Sequence, residues 1–594
     1  MLRTLLLMSL LPMSVLPVMS FAQNAADAVA PEAAGAGAVV ASDAANAAQA
    51  LKADGKPVEA QNWMVAAANP LAVDAGARVL REGGTAADAM VAVQAVLGLV
   101  EPQSSGLGGG AFLVWYDGES GEVTTLDGRE TAPLAATPRL FQTDDGEPMG
   151  FFDAVIGGRS VGTPGTPLLM KAAHDRWGRT EWSGLFKEGI ALAETGFEVS
   201  PRLALAVGRD SMKLASHPTT ANYFMPGGIQ IAAGQTLKNP DYAESLRALS
   251  EGPGRFYAGD IARDIVAAVQ SADNPGLLDF IDFAVYRVVE REAVCAPYRS
   301  HEVCGMGPPS SGALTVGQIL GLLDGFDLAS LGADSPEAWR LIGDASRLAF
   351  ADRGRYMADS DFVPVPVKGL VDPAYLADRA TLLAGEDALP EVSPGDPEFD
   401  HALHWADDTS LEFPSTSHIS IVDQYGNALS MTTTIENGFG SRVMVRGFLL
   451  NNELTDFSFR SHEGGVPIAN RVEPGKRPRS SMSPTIVLKD GKPVLIVGSP
   501  GGSRIIGYVV KTIIAHLDWG LNVQEAIDLG HLVNRFGTYD VESGTEAVDL
   551  MPALMEMGYE VTRRDLNSGI HAISVGEVLL GGADNRREGI ALGE

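Results

Sequence analysis

The chain has 594 residues, long enough for several domains, and 45% of them are apolar, enough for a sizeable core. Its 44 Lys and Arg against 75 Asp and Glu leave a net charge of −31, which disfavours nucleic acid and anionic membrane as partners. That field also repels acidic ligands at long range, so local cations must supply the attraction for any acidic group it binds.

Arg3 precedes a largely apolar run over residues 5–19, and Ser20-Phe21-Ala22 before Gln23 has the small-x-small pattern of a secretory cleavage site. Residues 1–22 therefore read as a signal peptide, with Pro12 and Pro17 arguing against a retained anchor. No later stretch is apolar and long enough to span a bilayer, and the expected location is periplasmic or secreted. Residues 23–61 read as an Ala-rich, disordered linker.

Gly83-Gly84 closes one helix, and Thr85-Ala86-Ala87-Asp88 reads as a capping box opening another that runs to Val100. Gly106-Leu107-Gly108-Gly109-Gly110-Ala111 matches a dinucleotide fingerprint, but a strand (residues 112–116) follows where that motif needs a helix. Nucleotide binding is rejected. Cys295 and Cys304, nine residues apart, suggest one disulfide across a small hairpin in an exported protein, with free thiols the alternative. Residues 386–415 are rich in Asp, Glu and Pro and read as a flexible strap. His401 and His404 within it lack a third ligand nearby, so no metal is assigned.

Thr416 follows the strap and opens an alternating strand, residues 417–423. A Thr here is either an ordinary strand start or, if the bond after Ser415 is cut, a nucleophile carrying its own α-amino base. Gln424-Tyr425-Gly426-Asn427 reads as a turn before a second strand, residues 428–434. Pairing Asp423 with Ala428 sets Thr416 opposite position 435, so a bulge is needed to bring Thr434 onto its face. His418 shares that face and is read as structural.

Asn451-Asn452-Glu453-Leu454-Thr455-Asp456 sets two carboxylates three residues apart, either a grip for a substrate ammonium or a solvated turn. Arg479-Ser480-Ser481 offers adjacent hydroxyls in a basic run, suited to a carboxylate but equally a plain loop. A buried-type strand (residues 494–497) runs into Gly498-Ser499-Pro500-Gly501-Gly502-Ser503-Arg504 and an apolar helix from Ile505. Gly501 and Gly502 there would let an oxyanion approach backbone N–H groups, or serve only a tight connection.

Together these segments resemble the γ-glutamyltranspeptidase family of N-terminal-nucleophile hydrolases. Ser104 to Gly110, Arg129-Glu130-Thr131-Ala132-Pro133 and Pro308-Pro309-Ser310-Ser311-Gly312 extend the likeness upstream, so that it spans residues 62–593. The resemblance implies an α+β fold, a four-layer αββα sandwich with large (62–415) and small (416–594) chains interleaved. Thr416 would be both autoprocessing residue, after Ser415, and nucleophile, with Thr434 orienting its hydroxyl. Arg129, Ser480 and Ser481 would bind the α-carboxylate of a γ-glutamyl group, Glu453 and Asp456 its ammonium, and Gly501 with Gly502 the oxyanion. A guanidinium suits a carboxylate through two parallel bonds. No cofactor is required.

Two departures stand out. Where family members carry an Asn two residues after the orienting Thr, this chain has Glu436, a third carboxylate for the ammonium site. Only 17 residues, 459–475, separate Ser458 from Lys476, too few for the lid of some relatives, which implies an open site. The expected activity is a self-processing γ-glutamyltransferase and glutathione hydrolase, passing the group to water or to amino-acid and peptide amines. A related acylase acting on glutaryl or cephalosporin-type amides is the alternative. An unprocessed solute-binding protein is the reading from another class.

Overall fold

The computed structural model describes residues 41–399, 401, 404–410 and 412–594. The signal-peptide reading and most of the linker reading lie outside them. Two seven-stranded antiparallel sheets face each other. The first runs, in spatial order, Val58–Ala60, Leu579–Ala583, His571–Val575, Lys492–Gly498, Thr485–Lys489, His301–Gly305 and Val294–Tyr298. The second runs Ile590–Gly593, Met64–Ala67, Ser417–Val422, Ala428–Thr434, Gly110–Tyr116, Val123–Gly128 and Val289–Glu292. Each sheet mixes strands from both sides of residue 416.

Helices cover both outer faces, which gives the α+β, four-layer αββα order expected. Thr85 caps Ala86–Val100 in a full capping box with Asp88, and all fifteen residues of that helix are buried. It packs with Pro70–Arg81 over the second sheet, in a core with Ile419, Ile421 and Met431. Gly312–Leu323, Pro336–Tyr356 and Ile505–Leu517 cover the first sheet through residues such as Leu320, Trp339 and Ile513. Between the sheets lie Met64, Val114, Ile486, Ile496 and Ile573. The seam also holds paired polar groups: Ser430 Oγ donates to Val497 O at 3.2 Å, and Ser420 Oγ to His571 O at 3.0 Å. Buried polar atoms need such partners, and these tie the two sheets together.

Three expectations change. The end of the supposed linker is ordered: Asp43–Ala53 is a helix capped by Ser42, and Val58–Ala60 is an edge strand paired with residues 579–581. Ala favours helix, and Lys52 anchors it by donating to Arg587 O at 2.8 Å and Gly589 O at 2.6 Å. The hairpin after Thr416 pairs Val422, not Asp423, with Ala428. The Asp423 carboxylate accepts the Tyr425 and Asn427 amides, both at 3.0 Å, and so belongs to the loop. Among its described residues the strap has no helix or strand but is tied down, with Asp408 and Glu412 buried. Cys295 and Cys304, opposite each other on adjacent strands, are disulfide-bonded. Among the described residues no helix is long and apolar enough to cross a membrane.

Candidate active site

The corrected register sets Ser417 opposite Thr433, so one step back Thr416 faces Thr434 without any bulge. Thr416 Oγ1 donates to Thr434 Oγ1 at 3.2 Å, and the Glu436 amide donates to the same oxygen at 2.8 Å. Both threonines are buried. The chain is strained where they meet. Thr416 has φ +142° and Glu436 +74°, in a half of the map that side-chain-bearing residues seldom enter. For a β-branched residue such a conformation costs about 1–3 kcal/mol and persists only where the surroundings impose it. Here Arg587 Nη1 donates to Thr416 O at 3.0 Å and Ser415 Oγ to Gln103 O at 2.8 Å, holding both sides of the junction.

His418 does not join the nucleophile. Its ring meets Thr432 Oγ1 at 2.9 Å and Ser420 Oγ at 3.0 Å between the sheets, and burial keeps its pKa well below the usual value. It is a neutral structural residue, as read from the sequence.

The strand Val123–Gly128 ends by delivering Arg129 into the core. Glu453–Asp456 forms one turn of 3₁₀ helix, which sets residues three apart on one side. Both carboxylates therefore reach Arg129: Glu453 through Nη1, and Asp456 through Nη2 at 2.5 Å. Arg129 also donates to Arg479 O at 2.8 Å and Pro478 O at 3.3 Å. The expected ammonium clamp is thus already balanced by the expected carboxylate clamp. Asn451 fixes the turn by donating to Gly108 O at 2.7 Å and Gly162 O at 3.0 Å. A Cβ at Gly108 would lie 2.1 Å from Leu449 O, so the upstream glycine run serves close backbone approach.

Glu436 points inward. Its carboxylate accepts from Asn452 Nδ2 and, at 3.3 Å, from the Phe413 amide, while Arg442 is engaged elsewhere with Asp210 at 2.8 Å. Burial first, and then the charge of Glu453, pushes its pKa up to about 8. Glu130, next to Arg129 in the chain, is wholly buried, and burial followed by the Glu453 charge drives its carboxyl well above the usual range.

Ser480 and Ser481 line the same cavity as Arg129, Thr416 and Gly502. Ser480 Oγ accepts the Met482 amide at 3.1 Å, and Ser481 Oγ is bonded to Glu412. Gly501 and Gly502 take φ +140° and +59° ahead of the short turn Gly502–Arg504. Against them lies the strap: a Cβ on Gly502 would meet Glu412 O at 2.5 Å, and the Ser503 amide donates to Glu412 O at 3.3 Å. The remaining cavity is about 20 Å³, room for roughly one water. The site expected to be open is therefore narrowed in the uncut chain, with Glu412 and Phe413 among the residues that line it. The 459–475 segment forms only a short hairpin, His462–Glu463 with Val466–Pro467.

Glu412, Arg353, Arg479, Glu130 and Arg587 were not singled out from the sequence. Glu412 and Arg479 stand within or next to quoted motifs, and Glu130 follows Arg129 directly. Arg353, mid-sequence on the helix Pro336–Tyr356, has no local signal. Among the described residues no cluster of three or more His, Cys, Asp or Glu is arranged to hold a metal.

Residues 72–594 match the family model described as gamma-glutamyltranspeptidase. The chain is 37% identical over 547 residues to the glutathione hydrolase proenzyme of Bacillus subtilis, covering 90% of this chain and 92% of that one. It is 34% identical over 531 residues to the acylase ACY 1 proenzyme of a Pseudomonas strain, covering 87% and 91%. Its fold superposes on cephalosporin acylase from Bacillus halodurans with a TM-score of 0.80 and 26% identity, over 91% of this chain and 97% of that one.

Proposed function

The chain belongs to the gamma-glutamyltranspeptidase family, and on that premise we propose a self-processing γ-glutamyltransferase and glutathione hydrolase that works through an ester on Thr416. The observation that carries this reading is Thr416 itself, strained at φ +142° directly after the bond to be cut, with its hydroxyl 3.2 Å from Thr434.

In the precursor the Thr416 hydroxyl attacks the Ser415 carbonyl carbon, the Ser415–Thr416 C–N bond breaks, and the freed amine takes the proton. Water hydrolyses the resulting ester. This leaves Ser415 as the new carboxyl end of the large chain (to residue 415) and Thr416 as the amino end of the small chain (416–594). The two remain together as a heterodimer. In the mature enzyme the Thr416 α-amine, which titrates near neutrality, takes the hydroxyl proton as Oγ1 attacks the γ-amide. Gly501 and Gly502 receive the oxyanion. The leaving amine departs with the proton, and water or an acceptor amine opens the ester. Arg129, Ser480 and Ser481 take the donor's α-carboxylate, and Glu453, Asp456 and Glu436 its ammonium. A signal peptide over residues 1–22 would direct the protein to the periplasm or outside the cell.

One observation favours the acylase reading as second. Arg129 already satisfies Glu453 and Asp456, and Glu436 titrates only at about 8, so the attraction for an ammonium is weaker than three free carboxylates would give. Mass spectrometry of the purified protein tests the processing: the expected small chain starts at Thr416 and has 179 residues. Thr416→Ala should remain one uncut, inactive chain, and normal cleavage in that variant would remove the assignment. Rates on γ-glutamyl- and glutaryl-p-nitroanilide then separate transferase from acylase.

A further inference from the structure

The helix Asp43–Ala53 lies ahead of residues 72–594, the part that matches the family model, yet two hydrogen bonds link it to the nucleophile. Lys52, in its last turn, is buried. Its ammonium donates to Gly589 O at 2.6 Å, to Arg587 O at 2.8 Å and, more distantly, to Asp584 O at 3.5 Å. An ammonium has three N–H groups, and here all of them serve one loop, residues 584–589. The start of that loop is set by the Asp584 carboxylate, which accepts the Ile570 amide at 3.0 Å and the Arg586 amide at 2.9 Å. Arg587 joins the two sides. Its backbone carbonyl receives Lys52, and its buried guanidinium donates to Thr416 O at 3.0 Å.

We propose that Lys52 is a positioning residue for Thr416: it fixes the loop 584–589 so that Arg587 holds the carbonyl of the nucleophilic residue. The helix Asp43–Ala53 is then a working part of the active site. This deepens the functional reading above and rests on it. Its physical basis is the strain at Thr416, whose φ of +142° persists only while the surroundings impose it. In the uncut chain Ser415 shares that load through its bond to Gln103 O. Cleavage severs the share on the Ser415 side, and the grip of Arg587 on Thr416 O stays with the new chain end. Without Lys52 the buried carbonyls of Arg587 and Gly589 lose this donor, and the loop must shift to recover partners. A misplacement of ~1 Å at a reacting group can cost about 10²-fold in rate. The helix has a separate anchor at its other end, where Ser42 Oγ donates to Asp74 Oδ1 at 2.6 Å and accepts the Ala45 amide at 3.1 Å. Stability and positioning can therefore be tested apart.

Lys52→Met keeps the reach of the side chain but has no N–H to donate. Precursor cleavage, and kcat on whichever anilide the wild type cleaves, should fall about 10-fold or more, with KM within about twofold of wild type. Ser42→Ala loosens the same helix by removing its cap; it should lower the melting temperature yet leave cleavage and kcat as in wild type. Equal kinetic losses in the two variants, or none in a folded Lys52→Met, would overturn the proposal and leave the enzyme reading intact. A double-mutant cycle checks the path through Arg587. Arg587→Leu should lose at least as much as Lys52→Met, and combining the two should cost little more than Arg587→Leu alone. Full additivity would overturn the path. Should Lys52→Met not fold, Lys52→Gln decides, because its shorter, neutral amide cannot reach all three carbonyls. The same loss in kcat at constant KM is expected there, and wild-type kinetics would overturn the proposal. Normal cleavage in Thr416→Ala would sink the nucleophile reading and this proposal together.

Discussion

The amide of Glu436 donates to Thr434 Oγ1 at 2.8 Å, and the same oxygen accepts the Thr416 hydroxyl at 3.2 Å. Glu436 is therefore wired, through its backbone, to the hydroxyl that we propose orients Thr416. Its φ of +74° lies in the left-handed region that side-chain-bearing residues seldom enter.

Thr434 should behave as an orienting group in both reactions. Thr434→Ala removes the acceptor for the Thr416 hydroxyl and for the Glu436 amide, and leaves every side chain proposed to bind the donor in place. Precursor cleavage and kcat should each fall about 10- to 100-fold, the weight of one hydrogen bond to a reacting group, with KM little changed. Time courses on denaturing gels and steady-state kinetics measure the two; an unaltered cleavage rate would exclude the role.

Arg129→Lys keeps the charge but cannot bridge Glu453 and Asp456 with two nitrogens while also reaching Arg479 O. The loss in kcat/KM for γ-glutamyl-p-nitroanilide should be about 1–3 kcal/mol of transition-state binding. Wild-type kinetics would take Arg129 out of the site.

Glu436 makes a pH prediction with a definite sign. Its folded pKa of about 8 lies above the ordinary value of 4.5, so the folded state holds the proton more tightly than the unfolded one. That stabilisation is complete below the ordinary value and is lost as pH rises toward 8, at no more than ~1.4 kcal/mol per pH unit. Thermal melts of the uncut Thr416→Ala chain should fall across that window, and Glu436→Asn should flatten the fall. A slope unchanged by the substitution would count against it.

The same group should shape activity in the cut enzyme. As pH drops below about 8, protonated Glu436 attracts the donor ammonium less, so kcat/KM for γ-glutamyl donors should show an acid limb. Glu436→Asn should flatten that limb and shift preference toward glutaryl donors, which lack the ammonium. An identical profile and donor ratio would leave Glu436 without a part in binding.

How much of this was legible in the chain depended on how local the signal was. The capping box at Thr85, the Gly-Gly stop before it and the hairpin after Thr416 were readable because each rests on neighbours within five residues. The hairpin register was missed by one step, because the Asp423 side chain bonds its own loop rather than extending the strand. Helix Asp43–Ala53 was read as linker although Ser42 and a run of Ala favour it; its burial depends on carbonyls more than 500 residues away. The motifs marked Arg129, Glu453 and Asp456, but not that they would neutralise one another. Arg353, Arg479 and Glu412 come from a helix, a loop and the strap, and only folding brings them into contact.

The two sheets also bear on what the cut can do. Strand Ser417–Val422 lies between Met64–Ala67 and Ala428–Thr434, and the latter is followed by Gly110–Tyr116, so chain segments from before and after the cut interleave within one hydrogen-bonded sheet. Neither polypeptide can leave, or be exchanged for a copy from another molecule, without unzipping several ladders and opening the core. Scission is thus a nick in a finished object: it frees one amine and one short tail, and the rest of the molecule keeps the architecture it had when it was a single thread.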